Sequence, residues 1–270
     1  MSRIDWDTPD VAERYDKNSD HQFKKGVALI EMMNLKPGDH VLDVGCGTGR
    51  QAMNVAGIIG QSGALEGIDP SSSRIKLACE KLHGASFNNV HFHVGLAEDL
   101  GRFSDNSFDH AYFCSSFHWV DDKPAALGEV LRVLKPGGSV GMTTLDRESN
   151  FGMRDITKKV FARHNYPVPD GLWGDGGMKR VNKDELEALL KDAGFRDIHI
   201  EPRSTNRRHR SPDEVLDFQS SNMTGSLLKD IPEPLKLVLR QDIMQELEKR
   251  RTAGGIELPS YTLFAVAVKP

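Results

Sequence analysis

The chain has 270 residues, of which 38% are hydrophobic and 27% are charged, and its formal net charge is −4. These values are ordinary for a globular protein and argue against general binding to nucleic acid or to an anionic membrane surface. No apolar run is long enough to span a bilayer, and the polar start "MSRIDWDTPD" does not resemble a targeting peptide. The three cysteines, Cys46, Cys79 and Cys114, form neither a disulfide framework nor a close-spaced metal motif. We therefore expect a reduced, cytoplasmic protein without a bound metal.

The stretch "ERYDKNSDHQFKKG", residues 13–26, predicts a helix with two different faces. At 3.6 residues per turn, Tyr15, Ser19 and Gln22 share one polar face together with Asn18. The face expected to dock on a core is another one, formed by Phe23, Val27 and Ile30. A polar face of this kind is usually solvated, so this stretch alone does not indicate a site.

From residue 40 onward, short apolar strands alternate with amphipathic helices. The predicted strands lie at residues 40–45, 63–70, 90–95, 107–116, 139–145, 196–202 and 261–270. Helices of about three turns separate most of them, and this alternation is typical of a mostly parallel sheet covered on both faces.

Three segments fall outside that alternation: 1–35, 146–182 and 203–257. We interpret them as helical cap elements on a single domain that spans residues 1–270. The reason is length, because each segment is too short to have a core of its own.

A glycine-rich turn, "LDVGCGTGR", follows the first strand and contains Gly45, Gly47 and Gly49. Glycines permit a tight turn and close approach of the backbone to a ligand. The turn alone also suits a nicotinamide-dependent oxidoreductase. Asp43 lies inside the strand, where a buried carboxylate needs a partner such as a ligand's ammonium group. Asp69 ends the next strand, where an acid can accept hydrogen bonds from ribose hydroxyls.

Four blocks in this order resemble class I S-adenosylmethionine-dependent methyltransferases: "VLDVGCGTGR", "GIDPS", "DNSFDHAYFCSSFHWVDD" and "LRVLKPGGSVGMTT". The resemblance covers roughly residues 10–200. It implies an α/β, Rossmann-like fold with a seven-stranded sheet of order 3-2-1-4-5-7-6, the last strand antiparallel. It also implies S-adenosylmethionine as cofactor, with S-adenosylhomocysteine as product.

By position, the resemblance places the glycine turn under the methionine part of the cofactor, Asp43 at its ammonium group and Asp69 at its ribose. Further cofactor contacts fall on Cys46, Pro70, Leu96, Ala97, Glu98 and Cys114. Many relatives have an acid where this chain has Leu96, and that acid bonds the adenine amino group. Glu98 is a nearby stand-in, or simply a surface charge.

The stretch "CSSFHWV", residues 114–120, follows the strand that in this architecture ends beside the transferable methyl group. His118 is either a general base or a packed residue, and Trp119 is either core or a pocket wall with an N–H donor. The spacing of "YDKNSDHQ" resembles carboxyl methyltransferases of the juvenile hormone acid and salicylate/benzoate types. That resemblance implies that Tyr15 and Ser19 contact the cofactor's carboxylate. It also implies that Gln22 and Trp119 donate hydrogen bonds to a substrate carboxylate.

These observations predict a small-molecule methyltransferase that O-methylates a carboxylic acid, with Gln22, His118 and Trp119 as catalytic candidates. The alternative is S- or N-methylation with His118 as base. From other classes, a nicotinamide-dependent oxidoreductase and a non-catalytic cofactor-binding protein stay open. We expect a monomer or homodimer that acts on a small-molecule acceptor, either neutral or anionic.

The stretch "RSTNRRHRS" concentrates basic residues in the last cap segment: Arg203, Arg207, Arg208 and Arg210. Such runs are usually solvated loops. The functional alternative is electrostatic attraction of an anionic acceptor.

Overall fold

The computed structural model of the chain describes residues 7–85, 87–147, 152–168, 179–222, 228 and 231–270. Its α-helices are α1 (Pro9–Asn18), α2 (Asp20–Met33), α3 (Arg50–Ile59), α4 (Ser72–His83), α5 (Lys123–Val133), α6 (Gly152–Arg163), α7 (Lys183–Asp192), α8 (Pro212–Asn222) and α9 (Glu233–Glu248). Its strands are β1 (His40–Val44), β2 (Ala64–Asp69), β3 (Val90–Val94), β4 (Phe108–Cys114), β5 (Leu134–Leu145), β6 (Arg196–His209), β7 (Arg251–Thr252) and β8 (Gly255–Val268). Within these ranges, no helix is both long enough and apolar enough to span a membrane.

The strands form one sheet of order β3-β2-β1-β4-β5-β8-β6, with the short β7 paired to β8. The pairings among β1 to β5 are parallel, and β8 runs antiparallel to β5. Counted without the short β7, this is the expected order 3-2-1-4-5-7-6 with its last strand antiparallel. The predicted fold class is therefore confirmed.

Both faces of the sheet are covered, and the alternation of side chains along β1 shows how. Val41 belongs to an apolar cluster with residues of α2, α3 and α4, whereas the next residue, Leu42, belongs to a cluster with residues of α5 and α7. Successive side chains of a strand point to opposite faces, so a strand that is buried on both faces reads as a continuous apolar run. That is why "VLDV" in β1 has no polar residue except Asp43.

The N-terminal segment forms two helices where one was expected, because the chain breaks at Ser19, with φ −94° and ψ 17°. The expected docking face of the second helix is also wrong in part. Its buried residues are Lys25, Gly26, Leu29, Ile30 and Met33, whereas Phe23 and Val27 are half-buried. The physical reason is Gly26: a Cβ atom there would lie 2.6 Å from Sγ of Cys114. The missing side chain lets this face of α2 approach the end of β4 closely.

The chain divides into two compact units. The first consists of Met1–Arg147, Lys179–Arg203 and Thr262–Pro270 and contains most of the sheet. The second consists of Glu148–Met178 and Ser204–Tyr261.

The second unit has an apolar cluster of its own, which includes Phe161 of α6, Val215 of α8 and Ile243 of α9. The two inserted segments thus share one apolar cluster. Residues 203–209, which begin the third of the expected cap segments, continue β6. Residues 1–6, 148–151 and 169–178 of the expected cap elements lie outside the described part of the chain.

Candidate functional site

The glycine turn leaves β1 at Val44 and enters α3 at Arg50. Gly45, Gly47 and Gly49 all have positive φ angles, of 80°, 55° and 77°. Among the described residues beyond its chain neighbours, a Cβ atom on Gly47 would have one neighbour within 4 Å, a ring carbon of Tyr15 at 3.8 Å. The turn therefore presents open backbone at Gly47, a surface that a ligand can approach closely.

Asp69 ends β2 beside this turn and is 7% exposed. Its Oδ2 accepts a hydrogen bond from the Gly47 N–H at 3.0 Å, and its Oδ1 accepts one from the Ser71 N–H at 2.9 Å. Burial raises the pKa of Asp69, although the neighbouring Arg74 opposes that rise. A carboxylate oxygen accepts more than one hydrogen bond. Asp69 can therefore hold the turn in place and still accept from a diol, while Pro70 after it is exposed.

Asp43 is 1% exposed and lies on β1 directly before the glycine turn. Its Oδ2 accepts a hydrogen bond from the hydroxyl of Tyr112 at 2.7 Å, whereas Oδ1 is buried and has no hydrogen-bond partner among the described residues. Burial raises the pKa of this carboxyl to about 7. A buried acceptor without a partner fits a cationic ligand group such as the ammonium of an amino acid. The sequence alone does not identify Tyr112 as this partner, because the two residues are 69 positions apart in the chain.

The junction of α1 and α2 is anchored to the glycine turn. The Thr48 hydroxyl donates to Oδ1 of Asp16 at 2.5 Å, and Nζ of Lys81 donates to the same oxygen. Arg50 donates to the Asp16 carbonyl at 3.0 Å and to the Ser19 hydroxyl at 3.1 Å. Ser19 is 4% exposed, so its hydroxyl is part of this junction.

Tyr15 lies over the glycine turn, next to Gly47. The guanidinium of Arg74 stacks on the Tyr15 ring at 4.3 Å, and its Nε lies 2.5 Å from a carboxylate oxygen of Asp7. The polar face of the N-terminal helices is therefore directed at the turn at this position. Arg74 was not singled out in the sequence, because an arginine in the first turn of a helix has no distinguishing pattern.

The segment after β3 provides the positions expected to flank adenine. Leu96 is 52% exposed, and Ala97 is half-buried against the core. Oε1 of Glu98 accepts hydrogen bonds from the backbone N–H groups of Asp121 and Asp122, at 2.9 and 3.1 Å. Glu98 therefore has a structural role before α5.

The carboxyl end of β4 is packed against α2. The Cys114 thiol donates to the backbone carbonyl of Gln22, with an Sγ–O distance of 3.7 Å. Burial raises the pKa of Cys114 to about 12, so this thiol is neutral. Gln22, the last polar position of the N-terminal face, thus lies beside the strand end.

His118 lies in a short 3-10 helix, Phe117–Trp119, just after β4, and is 5% exposed. Burial lowers its pKa well below the usual value, and the positive charges of Arg180, Lys25 and Lys123 lower it further. The imidazole is therefore neutral, and its ring centroid lies 5.6 Å from that of the half-buried Trp119. A histidine that holds a proton so weakly is a poor general base.

The basic stretch in β6 and after it is largely neutralised. Its arginines pair with glutamates: Arg203 with Glu201 at 2.9 Å, Arg208 with Glu257 at 2.6 Å, and Arg210 with Glu214 at 3.1 Å. The side chain of Arg207 is not among those described. These pairs favour the interpretation of a solvated surface, since paired exposed charges attract a distant anion only weakly.

Comparison with known proteins shows the family to which the chain belongs. The family described as "Methyltransferase domain" matches residues 35–194. The chain is 33% identical over 200 residues to a demethylmenaquinone methyltransferase of Listeria welshimeri, covering 68% of this chain and 84% of that one. It is 30% identical over 209 residues to the ubiquinone/menaquinone biosynthesis C-methyltransferase UbiE of Shewanella halifaxensis, covering 70% and 81%.

The fold is shared with a solved phosphoethanolamine N-methyltransferase 2 of Haemonchus contortus in complex with S-adenosyl-L-methionine. The TM-score is 0.61 at 21% identity, over 97% of this chain and 57% of that one. Together with the sheet order and the glycine turn, these matches identify the chain as a member of the class I S-adenosylmethionine-dependent methyltransferases.

Proposed function

We propose that this methyltransferase transfers a methyl group to a small hydroxylated aromatic acceptor that reacts as its anion. The observation that carries the proposal is the positive field at the end of β4. Lys25, Lys123 and Arg180 all act on the buried His118, and each of them lowers its pKa. A field that disfavours the imidazolium form favours an anion in the same place. The names of the relatives from Listeria and Shewanella supply the acceptor class, a quinone-type ring methylated at carbon.

The cofactor supplies an electrophilic methyl group on a sulfonium. In our proposal the chain's residues bind it in three parts. Asp43 receives the ammonium group, since its Oδ1 is a buried acceptor without a described partner. The open backbone at Gly47, under Tyr15, faces the methionine part. Asp69 accepts from the ribose, with its orientation held by the Gly47 and Ser71 N–H groups.

For methyl transfer, the acceptor hydroxyl must be ionised and the acceptor must be aligned with the methyl group. The cations near His118 lower the pKa of a hydroxyl bound there, so the anion forms by loss of its proton to water and without a strong base. The anion attacks through a ring carbon: the new C–C bond forms as the C–S bond breaks, and the ring proton leaves to water. Holding the two reactants in line is the protein's main contribution, worth up to about 7–11 kcal/mol.

O-Methylation of a carboxylic acid is the second candidate. It is supported by Gln22, whose backbone lies at the end of β4, and by Trp119, which carries an N–H donor and is half-buried there. A carboxylate is already ionised near neutral pH and needs only donors that orient it. The neutral, weakly basic His118 fits this acceptor as well, and it counts against the S- or N-methylation alternative.

For the whole chain we propose one methyltransferase that works as a monomer or homodimer in the reducing cytoplasm. The support for a reducing compartment is that Cys46, Cys79 and Cys114 are all thiols.

The test is an acceptor panel with methyl-labelled S-adenosylmethionine: a naphthoquinol, a matched phenol, an aromatic carboxylic acid, a thiol and an amine. We expect label in the quinol product, in a form stable to alkaline and acid hydrolysis, as a carbon-bound methyl is. Alkali-labile label in the carboxylic acid would favour the second candidate. Label in the thiol or amine only would overturn both.

A further inference from the structure

One arginine lies where both its helix and its burial disfavour a positive charge. Arg74 is the third residue of α4, and its backbone N–H donates to the hydroxyl of the N-cap residue Ser71 at 3.2 Å. The N-terminus of a helix carries a partial positive charge, so a cation in the first turn is unfavourable. The Arg74 side chain is also only 15% exposed. A cation in this position therefore needs compensation from other parts of the chain.

The N-terminal segment supplies part of that compensation. Nε of Arg74 lies 2.5 Å from a carboxylate oxygen of Asp7, whose side chain is 3% exposed. The guanidinium also lies over the Tyr15 ring, with Cζ 4.3 Å from the ring centroid. A planar guanidinium can stack on an aromatic ring while it pairs with a carboxylate, which a compact ammonium group does less well. The ion pair and the stack together hold the Tyr15 ring against the start of α4.

The Tyr15 ring held in this way lies over the glycine turn. One of its ring carbons would be 3.8 Å from a Cβ atom on Gly47, where the turn presents open backbone. In the proposed function this backbone faces the methionine part of the cofactor. Arg74 therefore contacts a side chain that borders the proposed cofactor site.

The charge of Arg74 also acts on Asp69, the carboxylate proposed to accept from the ribose. Burial raises the pKa of Asp69, the charge of Arg74 lowers it, and the charge of Asp7 raises it. Asp69 in turn raises the pKa of Asp43 and of Cys46, although burial is the larger cause at both. Among these groups Arg74 is the cation, so it favours the ionised form of Asp69, which accepts hydrogen bonds.

We propose that Arg74 is a positioning residue of the cofactor site: its guanidinium plane holds the Tyr15 ring over the glycine turn, and its charge acts on Asp69. The two roles depend on different properties of one side chain, the plane and the charge, so substitution can separate them. The inference deepens the proposed function. It rests on the cofactor part of that proposal and does not depend on the acceptor.

The experiment uses the full-length enzyme and three variants. Arg74→Met removes both the plane and the charge, and Arg74→Lys removes the plane and keeps the charge. Lys76→Met is the matched control, because Lys76 lies on the same helix and its side chain is 77% exposed.

Calorimetry measures the affinity of each variant for two ligands, S-adenosylhomocysteine and methylthioadenosine, and melting temperatures are recorded beside it. Methylthioadenosine has the ribose but lacks the amino-acid part that is proposed to lie at Gly47 and Asp43. Its affinity is measured from acidic to neutral pH, and this profile reports on Asp69 without the ammonium contact to Asp43.

We expect Arg74→Lys to lower the affinity for S-adenosylhomocysteine by about threefold to tenfold, because the Tyr15 ring loses its stacking partner. Its affinity for methylthioadenosine should change less than about twofold, with the wild-type pH profile. Arg74→Met should also move the acidic fall of methylthioadenosine affinity to higher pH. The reason is that loss of the Arg74 charge raises the pKa of Asp69, so the ionised carboxylate is lost earlier as pH drops. Lys76→Met should match the wild type.

The inference is overturned if Arg74→Met keeps the wild-type pH profile, or if Arg74→Lys loses affinity equally for the two ligands. A merely structural arginine predicts those results, with a lower melting temperature as the main effect. If Arg74→Met does not fold, the comparison of the two ligands in Arg74→Lys decides the inference. Failure of the proposed function is a different result, since the wild type would then bind neither ligand or would methylate no acceptor.

Discussion

Tyr112 donates its hydroxyl hydrogen to Oδ2 of Asp43 at 2.7 Å, and the two residues face each other in register on the neighbouring strands β4 and β1. The phenol thereby orients the carboxylate and leaves Oδ1 for a ligand. Burial raises the pKa of Asp43 to about 7, and the hydrogen bond from Tyr112 opposes part of that rise. The charge of this carboxylate therefore changes within the physiological pH range.

Cofactor affinity should depend on pH through Asp43. Only the ionised carboxylate attracts the ligand's ammonium group, so the affinity for S-adenosylhomocysteine should fall as pH drops through about 7. Well below that value the loss should approach about tenfold per pH unit. Tyr112→Phe should shift the fall to higher pH, because the lost hydrogen bond lowered the pKa. Asp43→Asn should bind weakly with a flat profile. Calorimetry across the range checks this, and a flat wild-type profile would contradict it.

Asp69→Ala should weaken cofactor binding. It removes the acceptor of a charge-assisted hydrogen bond, worth about 1.5–3 kcal/mol, or roughly one to two decades in Kd. The Gly47 and Ser71 N–H groups also lose their partner, so a lower melting temperature should accompany the loss. Asp192→Ala, at an exposed position at the end of α7, is the control. Unchanged cofactor affinity of Asp69→Ala in calorimetry would show that Asp69 has only a structural role.

Gly47→Val should impair binding more than Asp69→Ala. A branched residue at φ 55° is strained by roughly 1–3 kcal/mol, and its side chain occupies the open surface beside Tyr15. Gly57→Ala lies at an exposed helical position, where an added Cβ would meet no atom of the other described residues within 4 Å outside its own helix backbone; it should leave binding unchanged and slightly raise the melting temperature. Thermal melts and calorimetry on both variants are the measurement. Wild-type cofactor affinity in Gly47→Val would show that the glycine turn is not part of the cofactor site.

Substitutions on the polar face of the N-terminal helices should affect two different ligands, depending on the position. Gln22→Ala is expected to raise the acceptor KM or lower turnover with little effect on cofactor affinity, because Gln22 lies beside the end of β4. Tyr15→Phe and Ser19→Ala should act first on the cofactor, and Ser19→Ala should also lower stability because Arg50 loses a partner. Losses of about 1.5–3 kcal/mol correspond to one to two decades in efficiency. Steady-state kinetics and calorimetry on the three single variants measure these effects. A solvated face predicts a loss of less than about half a kcal/mol at each position, and that result would contradict the prediction.

Much of the site was predictable because it follows from local sequence. The turn with Gly45, Gly47 and Gly49 needs positive φ angles, and glycine is the residue that permits them. Asp43 and Asp69 were identifiable because carboxylates are rare inside and at the end of buried strands. The alternation of strands and helices indicated a covered parallel sheet. The order of the strands came from family resemblance, since periodicity does not specify which strands are neighbours.

Errors arose where a neighbour in space outweighed the local pattern. The helical periodicity of residues 20–33 continues smoothly, yet the docking face is rotated because Gly26 packs on Cys114. Strand β6 continues to His209 through a run of charged residues, several of which pair with glutamates. Charge in a sequence window suggests a loop, but it does not reveal a partner that stabilises a strand.

The sequence by itself determined the family and predicted a cofactor site at the glycine turn and its two acids, because these depend on residue types that are close together in the chain. The tertiary structure alone decided which polar groups are buried and what they contact. Asp43 meets Tyr112 across 69 positions, and Lys25 meets Thr262 across 237. The physical reason is that desolvation and hydrogen bonding depend on distance in space, and the closing of β8 onto β5 is what brings Thr262 to the helix that carries Lys25.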